Sequence, residues 1–134
     1  MLYTPSKSDA LFMPSGPAGD HLFVVLTGIS VAAAHGTHLL VNFSSIKHGV
    51  THDSACLVNP GEHPFITMPS YVEYQFSEIQ LASDLGNGVG SGRFVKHPDP
   101  VTDALLAKLR AGLHRSGFTP RKCKTYLTRY ENNP

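Results

Sequence analysis

Apolar residues in the first two thirds of the chain recur in short runs that are typical of strands. The run 21–27 (HLFVVLT) is β-branched and aromatic, as is 38–43 (HLLVNF), and both predict buried core strands. Gly, Pro, Asn and Ser residues separate the runs and favour turns. The segment 29–34 fits either a short strand or a turn. In chain order, the predicted strands are 10–13, 21–27, 38–43, 55–58, 70–76 and 79–82.

The strand predicted at 70–76 (SYVEYQF) alternates its side chains between two faces. The first face carries Val72, Tyr74 and Phe76, and the second carries Tyr71, Glu73 and Gln75. Because Tyr71 and Tyr74 lie on opposite faces, one ring packs inside while the other is free to stack on a base.

The last third of the chain contains one clear helix pattern, at 102–116. Leucines at 105, 106, 109 and 113 form an apolar stripe, and Thr102 is a suitable N-cap. The segment 86–92 has glycine at every second position, which predicts a mobile loop. Short strands followed by one packed helix predict a mainly β fold, a small barrel or strongly coiled sheet of about five to seven strands with a C-terminal helix.

Length and composition predict one domain without a membrane-spanning segment. The 134 residues are enough for a single core, and the net charge of +1 does not by itself indicate a nucleic-acid binder. The first residues lack the pattern of a signal peptide, so we expect a cytoplasmic protein. In that reducing compartment the two cysteines, Cys56 and Cys123, are expected to be free thiols, with Cys56 buried.

The charge distribution is more informative than its sum. The segment 110–129 carries Arg and Lys but no acidic residue. This basic end is able to follow phosphates, and it is equally well explained as a solvated surface. We expect 1–19 to be a loose N-terminal arm, 20–117 to be the β domain, and 118–134 to be a basic C-terminal tail.

The chain is rich in histidine, and several positions suggest chemistry. His48, His52 and Cys56 are four residues apart, but Gly49 argues against the helix that would align them as zinc ligands, so we expect no metal. His52 next to Asp53 suggests a proton-handling pair. In the segment 62–65 (EHPF), the histidine is expected to be structural, bonded to backbone, while the phenylalanine enters the core.

Several short motifs occur in an order that is known from one family. A strand in 20–26 stands where that family has Arg-Pro-x-Val-Val-Leu, and 41–45 (VNFSS) matches a strand that ends in a Val-Pro-x-Thr/Ser-Ser/Thr turn. The family also has a Ser-x-Val motif followed by a segment that contains isoleucine, and here 70–72 (SYV) is followed by 76–81 (FSEIQL). The family's closing helix corresponds to 102–116. In these features the chain resembles the MazF/PemK toxins.

The resemblance implies an SH3-like barrel and a metal-independent endoribonuclease that cleaves single-stranded RNA in a toxin–antitoxin system. It also implies a homodimer, a cognate antitoxin protein as partner and no cofactor. The family arginine that acts on the scissile phosphate falls on His21, and a clear copy of the family's first strand is missing from 1–19. These departures leave open a catalytically inactive SH3-like module that binds protein or nucleic acid. A small metal-dependent hydrolase is a third and weaker alternative.

The candidate site residues follow from this resemblance and from general chemistry. Histidine suits proton transfer near neutral pH, and we expect His21, oriented by Asp20, to act as acid or base. Hydroxyl and ammonium groups suit phosphate binding. The predicted catalytic residues are His21, Ser44 and His52, and the predicted substrate-binding residues are Ser45, Lys47 and Tyr71.

Overall fold

The computed structural model describes residues 3–29 and 36–133, and this part of the chain is mainly antiparallel sheet with three helices. Its strands are β1 (Ala10–Pro14), β2 (Asp20–Val25), β3 (Thr37–Ser45), β4 (Leu57–Val58), β5 (Ser70–Val72), β6 (Glu78–Leu81) and β7 (Val95–Lys96). Its helices are α1 (Ala82–Gly90), α2 (Asp103–Arg115) and α3 (Arg121–Asn132), and 3₁₀ turns occupy Gly16–Ala18 and Tyr74–Phe76.

The strands form one sheet in the order β4-β5-β3-β2-β1-β7, and β6 also pairs with β3. The predicted mainly β fold of five to seven strands with a C-terminal helix is therefore confirmed. Among the described strands, the two at the ends of this order do not pair with each other, so the sheet stays open. Most of 29–34, for which a strand or a turn was considered, lies outside the described residues.

The nine-residue strand β3 organises the sheet because it pairs with three other strands. Its first half pairs with β6, and its middle pairs with β2, ending where Asn42 lies opposite Phe23. From Phe43 onward its partner is β5, with Phe43 opposite Val72. The strand thus leaves β2 at Asn42.

The sheet buries both of its faces, but against different elements. Helices α2 and α3 cover one face, which carries Leu22, Val24, Leu39, Val41 and Phe43. The other face, here called the α1 face, carries Leu11, Met13, Phe23, Val25 and Leu40, packed with Leu85 and Phe94. Because side chains alternate along a strand, His21, Asn42 and Ser44 extend the α1 face beyond its apolar part.

Helix α2 forms at the predicted position. The side chain of Thr102 accepts a hydrogen bond from the Leu105 backbone N–H at 3.1 Å, which satisfies one of the free donors at the helix start. The predicted leucine stripe is buried against the sheet. Cys56 lies beneath this helix, 2% exposed, and both cysteines are free and buried, as expected.

The mobile loop predicted at 86–92 is wrong, because most of it forms helix α1. A methyl group at Gly88 would overlap the Phe94 ring, and one at Gly86 would meet the backbone oxygen of Tyr3. These glycines allow close packing of the helix rather than flexibility. The predicted strand 70–76 is also shorter than expected, since it ends at Val72 and Phe76 is 53% exposed.

The arm and the tail are both part of the fold, which corrects the predicted boundaries. The expected strand near 10–13 is confirmed as β1, and it lies inside the sheet between β2 and β7. Helix α3 buries an apolar stripe with i, i+3, i+4, i+7 spacing, which the surrounding charges had obscured. Its members are Cys123, Tyr126, Leu127 and Tyr130.

The helices within 3–29 and 36–133 are all too short or too polar to cross a lipid bilayer.

We expect Gly112→Ala to lower the free energy of unfolding by roughly 1–3 kcal/mol, as overpacking does. Alanine is the better helix former, but a methyl group here would overlap the Tyr74 hydroxyl and crowd Cys56. That hydroxyl is fixed by donating to the Leu109 carbonyl oxygen at 2.8 Å. Urea denaturation measures the change. Gly90→Ala in α1, where nothing lies within 4 Å, is the control, and equal effects of both substitutions would contradict this packing.

Candidate active site

A cavity opens where β3 leaves β2. Residues Asp20 to Leu22 of β2 pair with β1, but their pairing with β3 ends at Phe23. The last residues of β3 pair with β5 instead. The gap between the two strands is a cavity of about 350 Å³, here called the His21 cavity. Its walls include His21, Ser44, Ser45, Lys47, Phe65 and Met68.

His21 is held on β2 opposite Met13 of β1 and lines this cavity with a side chain that is 20% exposed. Its Nε2 atom lies 3.9 Å from the Glu73 carboxylate oxygen Oε1. Asp20, the residue expected to orient the imidazole, is exposed. Among the described residues, the carboxylate paired with His21 is Glu73, which corrects the prediction.

Glu73 is fixed by Asn42 at two points. The Asn42 side-chain Nδ2 donates to Glu73 Oε1 at 2.7 Å, and the Glu73 backbone N–H donates to the Asn42 carbonyl oxygen at 2.9 Å. Asn42 is fully buried, and the Glu73 side chain is 13% exposed. A carboxylate with so little solvent and a fixed geometry is well suited to orient a neighbouring cationic group.

Sequence reasoning missed Glu73 as a site residue. It placed Glu73 with Tyr71 and Gln75 on one strand face, and an acidic residue in such an alternation is normally solvated. Here the carboxylate lies beside His21 of β2 and accepts a hydrogen bond from the buried Asn42 of β3. One signal in the sequence could have pointed to Glu73. Asn42 stands in the middle of an apolar strand, and a buried amide requires a polar partner.

Three of the predicted residues are brought to the same cavity as His21. Ser44 and Ser45, the last two residues of β3, are half-buried in its wall, and the exposed Lys47 follows them. One histidine, two serines and one lysine therefore line one space. Lys47 is the one Lys or Arg among the described residues that line it.

The other two predicted residues, His52 and Tyr71, lie in a neighbouring cavity of about 220 Å³, here called the Tyr71 cavity. Their ring centroids are 5.2 Å apart. Glu73 lines this cavity as well as contacting His21, so its carboxylate lies between the two spaces. The predicted site is thus divided into two adjacent parts.

Unpartnered polar atoms concentrate around Glu73. Within 3–29 and 36–133, four buried side-chain N or O atoms have no hydrogen-bond partner, namely His21 Nδ1, His38 Nε2, Asn42 Oδ1 and His52 Nδ1. Three of these belong to residues that contact Glu73 or share a cavity with it. Such atoms are costly in a folded protein, so their concentration around Glu73 distinguishes this region from the rest of the core.

Asp53 does not pair with His52, which corrects the expected proton-handling pair. Its Oδ2 accepts from the Ser116 hydroxyl at 2.6 Å and its Oδ1 from the Ala55 backbone N–H at 2.9 Å. In the described part of the chain, no three His, Cys, Asp or Glu side chains are placed to hold a metal ion.

His63 has the structural role that was expected. The Phe65 backbone N–H donates to its Nδ1 at 3.1 Å, so the ring proton lies on Nε2, which donates to the Asp99 carbonyl oxygen at 2.8 Å. Phe65 does not enter the core as predicted. It is 45% exposed, lines the His21 cavity and packs edge-on against Phe12.

Two cations of the basic segment 110–129 serve the fold. Arg110 donates to the Leu26 carbonyl oxygen from two of its nitrogens, and Arg115 does the same to the Ala55 carbonyl oxygen. These bonds connect α2 to the segment that follows β2 and to the segment that precedes β4. The other Arg and Lys residues of this segment lie on α3. They are not part of its buried stripe, which is apolar.

Comparison with known proteins gave no further guide to this site. A scan against protein-family models, a search of curated proteins and a search of solved structures each found no match to this chain. The resemblance to the MazF/PemK toxins therefore remains a prediction from the short motifs in 20–26, 41–45 and 70–81.

We expect Asp53→Ala to lower the free energy of unfolding by roughly 1–3 kcal/mol, because the Ser116 hydroxyl and the Ala55 N–H lose their acceptor. His52→Ala is expected to have a smaller effect, since the buried Nδ1 makes no bond. Urea denaturation of both variants and the double variant measures this. If the two single variants lose equal stability and the double variant loses less than the sum of the two losses, the residues do act as a pair.

Proposed function

We propose that this protein cleaves single-stranded RNA without a metal ion and that the chemistry occurs in the His21 cavity. The observation that carries this proposal is the shared space: the His21 imidazole lines the same cavity as Ser44, Ser45 and Lys47. Cleavage of an RNA backbone needs a proton-transfer group and donors for the phosphate oxygens, and these residues supply both.

In the proposed reaction the ribose 2′-oxygen attacks the adjacent phosphorus, so the O2′–P bond forms as the P–O5′ bond breaks. The Nε2 atom of His21 takes the proton of the 2′-hydroxyl. The expelled 5′-oxygen takes a proton from water, and the His21 imidazolium then gives its proton to the hydroxide that remains. His52 does not serve as the acid, because it lines the other cavity. The products are a 2′,3′-cyclic phosphate and a 5′-hydroxyl, and the atoms balance without a cofactor.

The other residues act on the charge that develops. The hydroxyls of Ser44 and Ser45 donate to the phosphoryl oxygens, and the Lys47 ammonium offsets their negative charge. Glu73 is a positioning residue: its carboxylate, 3.9 Å from His21 Nε2, favours the imidazolium that forms once the proton has been taken. Asn42 in turn holds the carboxylate in place.

A second candidate is a catalytically inactive module that binds protein or nucleic acid. The charge of the His21 cavity favours it, since the described lining residues include Asp20 as well as Lys47 and no other Lys or Arg. Such a site attracts phosphate weakly. Under this alternative the same cavity holds a ligand but leaves it intact.

The biological setting follows from the MazF/PemK resemblance: we infer a cytoplasmic toxin that acts as a homodimer and is blocked by a cognate antitoxin protein. Expression of the chain in a bacterial host should then arrest growth, and co-expression of the neighbouring open reading frame should relieve the arrest. Counting viable cells after induction measures both. Normal growth of a strain that accumulates folded protein would contradict the toxin role.

We expect the purified protein to cut a mixed-sequence RNA in excess EDTA and to leave cyclic phosphate ends. His21→Ala should slow this cleavage by about 10²–10⁴-fold, the usual contribution of general acid–base catalysis. Gel analysis of end-labelled RNA measures the rate. His48→Ala is the matched control, because His48 is exposed and is not among the residues of the His21 cavity.

The outcomes separate the candidates. Equal cleavage by His21→Ala and wild type would remove His21 from the reaction. Cleavage that EDTA abolishes and manganese restores would require a metal-dependent mechanism. RNA that stays intact under every condition but shifts in a binding gel would favour the inactive module.

We expect Glu73→Gln to lower kcat at least tenfold while KM changes little, because the substitution removes the charge but keeps an oxygen for Asn42. A loss of roughly 1.4 kcal/mol of transition-state stabilisation slows a rate tenfold. Steady-state kinetics measures both constants. A rise in KM with unchanged kcat would instead assign Glu73 to substrate binding.

A further inference from the structure

The Tyr71 cavity is surrounded by aromatic rings. Tyr71 is half-buried on β5 with the His52 ring beside it, tilted by 41°. Phe118, which follows α2, lines the same space with a side chain that is 64% exposed. At about 220 Å³ the cavity is smaller than the roughly 300–1,000 Å³ of pockets for drug-sized ligands, so it suits one small planar ring system.

Phe118 is exposed on a fixed support. Its backbone N–H donates to the Ser116 hydroxyl oxygen at 3.1 Å, and that hydroxyl donates to the Asp53 carboxylate at 2.6 Å. Ser116 is 2% exposed. A buried hydrogen-bonded turn therefore holds a large apolar ring in water beside the cavity, where the ring adds nothing to the core of the protein.

The cavity also offers polar groups for a ligand with hydrogen-bonding edges. Glu73 Oε1 is bonded to Asn42, whereas its second oxygen makes no hydrogen bond with the described residues. The exposed Gln75 amide supplies both donors and an acceptor at the rim. Stacking rings combined with such groups are the usual means by which proteins hold an unpaired nucleobase.

The position of the cavity relates it to the His21 cavity. Ser44 of β3 lies directly opposite Tyr71 of β5, so the two residues occupy neighbouring strands and point to the same face. Neighbouring strands are about 4.7–4.9 Å apart. A phosphate bound at Ser44 thus has the Tyr71 ring one strand away, within reach of the base of an adjoining nucleotide.

We propose that the Tyr71 cavity binds a nucleobase next to the phosphate held in the His21 cavity, with the base between Tyr71 and Phe118. This assignment rests on the proposed RNA cleavage, which it deepens by naming a base-binding subsite. It gives a function to His52 and Tyr71, which the proton-transfer steps do not use. It also makes the base beside the cleaved bond, rather than the phosphate alone, a determinant of the cleavage position.

The test uses 2′-deoxydinucleotides, which keep the phosphate and bases but lack the attacking hydroxyl. Each of the four homodinucleotides is compared with analogues that lack the 5′ or the 3′ base, and NMR titration gives the dissociation constants. We expect the loss of one base to weaken binding by about 5–150-fold for at least one dinucleotide, the range found for base–aromatic stacking. Phe118→Leu should remove most of this difference.

Phe76→Leu is the matched control, because Phe76 is 53% exposed but is not among the residues that line either cavity. It should leave the difference between intact and abasic ligands unchanged. Intact and abasic ligands that bind equally to wild-type protein would overturn the subsite, as would equal effects of Phe118→Leu on both ligands.

The two proposals fail in different ways. If RNA stays uncut but the base-dependent binding is lost in Phe118→Leu, the subsite stands and the proposed cleavage falls. If RNA is cut but the dinucleotides bind without regard to their bases, the cleavage stands and the subsite falls.

Discussion

The change of partner along β3 is the constraint on which the site depends. A strand that stayed paired with β2 along its whole length would place Ser44 against His21 and leave no space between them. Instead β3 turns to β5 at Phe43, so the end of β2 and the end of β3 separate. Two hydrogen bonds between Asn42 and Glu73 fix the place where the strands separate. The fully buried Asn42 side chain donates to the Glu73 carboxylate, and the Asn42 carbonyl oxygen accepts from the Glu73 backbone N–H.

This geometry divides the α1 face into two functional halves. Leu85 and Phe94 cover the apolar half, which ends at Phe23. Beyond it the same strands carry His21, Asn42 and Ser44, and none of these polar residues belongs to the cluster that packs with α1.

The sequence predicted the elements that local patterns determine. The core strands around 21–27 and 38–43 and the helix at 102–116 came from apolar spacing and a capping threonine. The pattern did not reveal α1, whose glycines suggested a loop, or α3, whose apolar stripe is hidden among charges. His21, Ser44, Ser45 and Lys47 were grouped correctly as neighbours, whereas Glu73 was missed because the enclosure of its carboxylate depends on a strand distant in sequence.

The most direct test of this account is a crystal structure with a non-cleavable 2′-deoxyoligonucleotide. We expect a phosphate in the gap between the two strands, contacted by the His21 imidazole and the Ser44 hydroxyl, with the Lys47 ammonium nearby. A phosphate bound elsewhere, for example on the exposed cations of α3, or a gap closed by continued pairing of β2 with β3, would contradict it.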